Sequence, residues 1–212
     1  MSTTHHRTRT RKSPGQRSAE IHEAAVAIAR EQGLSALTLR SVATRAGVAP
    51  GLVAHYTESM DELVATTFRE LTASELEDVR QHVDGSADPG ERMGRMLATV
   101  LAHDHENITL VWVDSWSLGR GNAPLSVAID EQMGAWQEFI AGIARDGEDA
   151  GVFETDDADA VAWQILAMID GISAHALTRR TDPTPFVSRL ARACETLLGA
   201  RQDTIGGHVA KA

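Results

Sequence analysis

The stretch from Thr38 to Tyr56 carries residue types that suit contact with DNA. Thr38 can cap one short helix over Leu39 to Ala46, Gly47 permits a left-handed turn, and Pro50 can begin a second helix. Two short helices joined by a tight turn can present the N-terminal end of the second helix to a major groove. Any small three-helix unit with a glycine turn shows a similar pattern, so spacing alone leaves both interpretations open.

The second of these helices contains an unusual glycine. Gly51 costs about 1 kcal/mol relative to alanine inside a helix, which makes sense where the helix must lie close to another molecule. Leu52 can touch a thymine methyl group, and His55 and Tyr56 can donate hydrogen bonds to phosphates or base edges. These residue types favour DNA recognition.

A second group of chemically useful residues is aromatic. Trp112 and Trp116 lie one helical turn apart, and Trp136 lies on the next predicted helix with Phe139 near it. Aromatic faces beside Asp114 would suit a cationic or flat ligand through cation–π contact. The alternative is that these rings fill the core.

Catalytic and metal-binding patterns are not found in the sequence. In His103-Asp104-His105-Glu106 the two histidines would point to different faces of a helix, so we expect no metal site. An enzyme in the helical body would have to use Asp114, His103 or His175, without a nucleophile elbow, phosphate loop or paired-histidine motif. We therefore predict a non-enzyme that needs no cofactor.

The elements that must position these residues are all helical. Capping and turn residues predict helices from Ser13 to Gly33, 39–46, 50–56 and about 60–82, followed by 90–102, 106–118, 124–148, 157–177 and 185–198. We expect a flexible basic arm (1–15), a three-helix helix-turn-helix DNA-binding domain (16–60), a helical ligand-binding and dimerisation domain (61–200) and a frayed tail (201–212).

Charge divides the 212-residue chain into two parts. The net charge of −10 comprises +5 over residues 1–57 and −15 over the remainder. A basic module that meets an anion, attached to an acidic body, fits this asymmetry.

The first residues lack a secretory signal, the apolar run 158–177 is interrupted by polar residues, and the single cysteine fits a reducing compartment. We expect a cytoplasmic protein without a membrane span.

The run from Ser18 to Leu63 resembles the DNA-binding domain of the TetR family of transcriptional repressors. The resemblance rests on Thr38-Leu39-Arg40-Ser41-Val42-Ala43, Ala46-Gly47-Val48 and Gly51-Leu52-Val53-Ala54-His55-Tyr56. The last of these is most similar to the subgroup of choline-responsive betaine-pathway regulators. Trp112 to Trp116, Gly147 to Phe153 and Ala167 to Ile172 resemble the C-terminal domain of that subgroup, so nearly the whole chain after Gln16 is covered.

The resemblance implies roles for individual residues. Thr38 would cap its helix against phosphate and 49–52 would face the major groove; the implied DNA-contacting set is Thr38, Arg40, Arg45, Ala49, Pro50, Gly51, Leu52, His55 and Tyr56. The implied effector site comprises Trp112, Asp114, Trp116, Met133, Trp136 and Phe139.

Family members usually have lysine where this chain has Met60 and often phenylalanine where it has Thr57. Loss of that lysine removes one phosphate contact, which the arm residues Arg7, Arg9, Arg11 and Lys12 could supply in the minor groove. A merely solvated leader is the alternative.

A homodimer is expected because the last two long helices are apolar almost all round. The resemblance implies that they pair with their copies, and the expected interface residues are Trp163, Met168, Ile172, His175, Leu190 and Leu197. Such a dimer would bind a palindromic operator in double-stranded DNA and be released by a small-molecule effector. An architectural helical dimer without an effector is the competing hypothesis.

Overall fold

The structure is a computed structural model that describes residues 13–102 and 105–209, and every regular element in those ranges is helical. The helices are α1 (Pro14–Gln32), α2 (Leu39–Ala46), α3 (Pro50–Tyr56), α4 (Met60–Val83), α5 (Pro89–Val100), α6 (Glu106–Leu118), α7 (Ala123–Asp149), α8 (Ala158–Arg179), α9 (Val187–Leu197) and α10 (Gly206–Val209), with short 3-10 turns at Leu34–Ala36 and Thr184–Phe186. The all-α prediction is confirmed.

Side-chain caps explain where the helices begin. Ser13 accepts a hydrogen bond from the Gln16 N–H, and the Gln16 side chain accepts one from the Ser13 N–H, which forms a capping box before Pro14. Ser59 caps α4 in the same way by accepting from the Glu62 N–H at 3.0 Å. The flexible arm was predicted over residues 1–15, but α1 already begins at Pro14. Residues 1–12 of the predicted arm lie outside the described ranges.

Two apolar cores organise the chain. The first joins α1, α2, α3 and the N-terminal half of α4 into a unit that we call the head, and it extends to Val111 of α6 and Leu125 of α7. The second joins the rest of α4 with α5 and α7–α10 into the body. Trp112 packs against both cores. The helices α4 and α6 therefore connect the head mechanically to the body.

The C-terminal segment is more ordered than the sequence predicted. Ile205 is fully buried, and the Glu195 carboxylate accepts hydrogen bonds from the backbone N–H groups of Ile205 and Gly206 at 2.9 and 2.8 Å. These contacts hold α10 against α5 and α9. The predicted frayed tail is wrong over residues 201–209, because a buried carboxylate satisfies backbone donors there; residues 210–212 lie outside the described ranges.

Among the described residues one helix, α8, is long and apolar enough to cross a membrane. Core helices of ordinary globular proteins pass the same test, and α8 packs along α7, α6 and α9. We take it as a packed helix of the body.

Candidate functional site

The helix-turn-helix forms as its residues dictate. Thr38 Oγ1 accepts from the Ser41 N–H at 3.0 Å, and Ser41 Oγ accepts from the Thr38 N–H at 2.9 Å, so the two side chains fix the start of α2. Gly47 ends α2 in the left-handed conformation at φ 65° and ψ 37°. The turn then feeds directly into α3, with Val53 buried against the head core.

The outer face of α3 is open. Ala49, Pro50, Gly51 and His55 are exposed, and Leu52 and Tyr56 are half-buried. A Cβ atom placed on Gly51 would meet no other atom within 4 Å, so packing inside the protein does not require glycine at this position. The small residue instead leaves the helix surface flat, as close approach to another molecule demands.

The two arginines of α2 have different surroundings. Arg45 pairs with Glu31 of α1 through both terminal nitrogens, at 2.8 and 2.5 Å, and this pairing lowers the pKa of the Glu31 carboxyl. Arg40 is exposed, and its guanidinium has no protein partner within the described ranges. Arg40 is thus available for a phosphate, whereas Arg45 is already engaged with the head.

A chamber lies in the body between α4, α5, α6, α7 and α8. The residues lining it are Glu75, Val100, Thr109, Trp112, Val113, Trp116, Met133, Trp136, Leu166, Ile169, Asp170, Ser173 and Ala174. The space open to the centres of water molecules is about 40 Å³, room for about three waters, which is too small for a long chain. Four of the six residues expected at the effector site, Trp112, Trp116, Met133 and Trp136, are in this wall.

Two carboxylates, Glu75 and Asp170, line the chamber, and neither was among the residues expected at the effector site. The Trp112 indole N–H donates to Glu75 Oε2 at 2.9 Å. Burial raises the pKa of Glu75 to about 7, opposed by the Trp112 hydrogen bond and reinforced by the charge of Asp170. Burial also raises the pKa of Asp170 to about 6. Burial therefore opposes the charged form of both acids.

Patterns in the sequence could have pointed to these acids. Phe68, Leu71 and Glu75 fall at i, i+3 and i+7, so Glu75 continues the inward-facing stripe of α4. Asp170 stands inside the apolar run of α8. A carboxylate on an inward-facing stripe needs a partner, and that partner is either a protein group or a ligand.

Asp114 and Phe139, which were expected at the effector site, do not line this chamber. Asp114 follows Trp112 by two positions, or about 200° around the helix, and so projects from the opposite side of α6. Its Oδ2 accepts from the Ser35 N–H at 2.8 Å, next to Gly33 in the head. Phe139 packs edge-on against Trp136 and turns towards α4, where the Arg80 guanidinium lies 5.5 Å from the ring centroid.

The residues expected at a dimer interface lie on two parts of the surface of α8 and α9, with Trp163 about 140° around α8 from Met168. Met168, Ile172, His175 and Leu190 line a groove between the two helices, with Leu190 buried as its floor. Trp163 is 59% exposed on α8, and Phe186 at the start of α9 is 42% exposed. Leu197 is half-buried near the end of α9. The arrangement leaves apolar surface on both helices.

Other titratable clusters give no metal site. Over residues 13–102 and 105–209, no group of three or more His, Cys, Asp or Glu side chains is arranged to hold a metal ion. Of the His103-Asp104-His105-Glu106 motif, the first two residues lie outside those ranges. His105 Nε2 lies 4.0 Å from Glu75 Oε1, on the side away from the chamber.

Comparison with known proteins matches both parts of the chain. Residues 21–67 match the TetR family of bacterial regulatory proteins, and residues 89–199 match the C-terminal domain of BetI-type transcriptional repressors. The repressor KstR2 of Mycobacterium tuberculosis is 28% identical over 147 residues, which cover 68% of this chain and 74% of the relative. The regulator BetI of Rhizobium meliloti is 27% identical over 150 residues, covering 71% and 72%.

Solved structures share the same fold. A regulator from Saccharomonospora viridis, solved in complex with choline, superposes with a TM-score of 0.71 at 20% identity and covers 87% of this chain and 96% of the other. The helix-turn-helix, the helical body and the two family matches agree. The chain belongs to the TetR family of DNA-binding transcriptional regulators and carries the C-terminal domain of BetI-type repressors.

Proposed function

We propose that this repressor binds operator DNA as a homodimer and that a compact organic cation bound in the chamber releases it. The observation that carries the proposal is the chamber itself, in which three tryptophans and two carboxylates converge. No arginine, lysine or histidine is among its described lining residues. Aromatic faces and carboxylates both attract cations and repel anions.

The protonation of the acids supports a cationic ligand. Burial favours the neutral forms of Glu75 and Asp170. A cation would stabilise both carboxylates as anions and so recover the free energy that burial costs them. The choline found in the S. viridis regulator makes a quaternary ammonium ion the natural first probe.

The DNA-binding surface would be the open face of α3 with the start of α2. We assign base-edge contacts to 49–52, His55 and Tyr56, and phosphate contacts to Arg40. Thr38 would act through its cap, which leaves the first N–H groups of α2 in place for a phosphate. Arg45 would contribute by fixing α2 on α1 rather than by touching DNA. The repressor would act in the cytoplasm, beside its operator.

The dimer would form through α8 and α9. Phe186 borders the apolar groove, and Trp163 is exposed elsewhere on α8, so large apolar side chains face water on both helices. Pairing by a two-fold axis would bury apolar surface of these helices and place the two α3 helices roughly 34–36 Å apart, one turn of DNA. A palindromic operator follows from that symmetry.

Helix α6 would transmit the signal. It carries Trp112 and Trp116 in the chamber wall and, on its other side, Asp114 bonded to the head. A cation that reorients the tryptophans would shift α6 and, through Asp114, the head. Only a ligand with different affinities for the two arrangements can drive this change.

The test is a titration of the purified protein with choline chloride, followed by tryptophan emission and by release of DNA from the region upstream of its gene. We expect saturable emission change and loss of DNA binding at the same concentrations. Glu75→Gln and Asp170→Asn keep the shape of the chamber and should weaken choline binding about tenfold or more each. A long-chain acyl-coenzyme A is the comparison ligand. Release by the acyl compound, or choline binding that Glu75→Gln leaves unchanged, would overturn the cation assignment.

A further inference from the structure

A second and larger space adjoins the chamber on the outside of α4. This outer cleft encloses about 450 Å³ between α1, α4, α5 and α6, with an apolar floor that includes Leu71 and Ile108 and a polar rim that includes Ser74, Asp78 and His105. Among the described residues, Glu75 is the one that lines both the outer cleft and the chamber. The Glu75 side chain therefore forms part of the partition between them.

The two oxygens of Glu75 face the two spaces. Oε2 accepts from the Trp112 indole N–H at 2.9 Å on the chamber side, and Oε1 lies 4.0 Å from His105 Nε2 on the cleft side. Rotation of the Glu75 side chain towards His105 would lengthen the first contact and shorten the second without moving the backbone. This change is a transition between side-chain rotamers that must break the hydrogen bond to Trp112.

We propose that the outer cleft is the entrance to the chamber and that the Glu75 carboxylate, held between Trp112 and His105, is its gate. The inference rests on the proposed function, since it concerns how that ligand arrives. Asp78 lines the outer cleft together with Arg30, so charges of both signs border the route, and its width rather than its charge admits a small cation. The carboxylate that admits the cation then remains beside it as a binding partner.

Another neighbouring cavity is a poorer route. It shares Val100, Thr109 and Ser173 with the chamber and extends to Thr181, but it encloses only about 10 Å³, about the space of one water molecule. A cation would need displacement of packed side chains to pass there. The choice between these two routes can be decided by blocking each with the same chemical change.

The experiment fills each route with a phenyl ring and measures choline binding by stopped-flow tryptophan fluorescence. Ser74 is exposed and lines only the outer cleft, so Ser74→Phe obstructs the proposed entrance and Ser74→Ala is its control. Thr181→Phe is the matched change at the small cavity, and because Thr181 also borders the groove between α8 and α9, its oligomeric state is checked by analytical ultracentrifugation. His105→Phe keeps a ring of similar size but removes the polar partner that holds the gate open.

We expect Ser74→Phe to lower the association and dissociation rate constants of choline together by about tenfold, with a dissociation constant within twofold of the original. His105→Phe should slow both rates in the same direction, whereas Ser74→Ala and Thr181→Phe should change neither. Unchanged rates in Ser74→Phe, or slowed rates in Thr181→Phe, would overturn the proposal.

Acrylamide quenching separates this proposal from the cation assignment. Acrylamide is neutral and needs no cation site, and three of the four tryptophans line the chamber. Ser74→Phe should protect the emission of the three chamber tryptophans from quenching by acrylamide, whereas the exposed Trp163 should be quenched as in the original protein. If choline fails to bind but this protection is seen, the entrance stands and the ligand assignment falls; if protection is absent, the entrance falls.

Discussion

The backbone N–H of Ser35 in the head donates a 2.8 Å hydrogen bond to the Asp114 carboxylate on α6. The bond joins residues 79 positions apart and lies on the side of α6 opposite the chamber tryptophans. It is supported by contacts of α6 with α1 and with the 3-10 turn at Leu34–Ala36. A rotation or shift of α6 therefore cannot occur without changing this contact or moving the head.

Removal of the Asp114 carboxylate should uncouple the chamber from the head. We expect Asp114→Ala to bind choline with unchanged affinity but to lower the ligand-induced loss of DNA affinity by about fivefold or more, in line with typical coupling free energies of 1–3 kcal/mol. Asp114→Asn retains an acceptor oxygen and serves as the control. DNA binding is measured with and without choline. If choline lowers the DNA affinity of Asp114→Ala as much as that of the original protein, the signal takes another path.

Gly33 should tolerate no side chain. Its φ of 84° is unfavourable for other residues, and a Cβ atom there would lie 2.9 Å from Leu110 Cγ and still closer to the Asp114 carboxylate. We expect Gly33→Ala to lower the free energy of unfolding by about 2 kcal/mol. Urea denaturation measures the change. Gly15→Ala, at a position with no atom within 4 Å, should leave the stability equal or slightly higher.

Gly51 should behave in the opposite way from Gly33. Its helical position has open space around it, so Gly51→Ala should hold or raise the stability of the head by up to about 1 kcal/mol. If α3 approaches DNA closely, the added methyl group should nevertheless weaken operator binding, by about tenfold. A thermal melt and a DNA-binding isotherm of the same sample test both halves. Unchanged DNA affinity would place the Gly51 face away from the groove.

Sequence patterns predicted local structure better than they predicted the lining of the chamber. The caps at Ser13 and Ser59 and the turn at Gly47 depend on neighbouring residues, and the helices begin or end there as expected. The chamber depends on five helices that meet in space, and its acids come from α4 and α8. Proximity to Trp112 in the sequence suggested Asp114, but helical rotation sends that side chain the other way.

Errors at the chain end have a similar cause. The polar residues after Gly199 suggested disorder, yet Glu195 lies ten residues before Ile205 and supplies the acceptor that fixes the segment. A capping interaction over that distance depends on the packing of α10 against α9, which no local pattern encodes. The contact between Glu31 and Arg45 likewise removes a cation that composition alone counts as available for DNA.

Arg40 and Arg45 should contribute unequally to DNA binding. Arg40 is free of protein partners among the described residues, so Arg40→Gln should weaken DNA binding and lower the slope of log affinity against log salt by about one. Arg45 is held by Glu31, so Arg45→Gln should leave that slope nearly unchanged. Binding isotherms over a series of salt concentrations make the comparison. The reverse order would mean that Arg45 leaves Glu31 when DNA binds.

Choline affinity should rise with pH, because the cation binds best to ionised carboxylates. Burial raises the pKa of Glu75 to about 7 and that of Asp170 to about 6, so without ligand Glu75 is almost wholly protonated and Asp170 mostly protonated at pH 5.5, and both are ionised at pH 8. Choline binding must release any protons still bound to Glu75 and Asp170. This linkage predicts a choline affinity about a hundredfold higher at pH 8 than at pH 5.5. Glu75→Gln leaves Asp170 as the titrating acid and should reduce this ratio to about fourfold. Fluorescence titrations at several pH values measure the ratio, and proton release measured in buffers of different ionisation enthalpy checks its cause. An affinity independent of pH would show that neither carboxylate changes its charge when the cation binds.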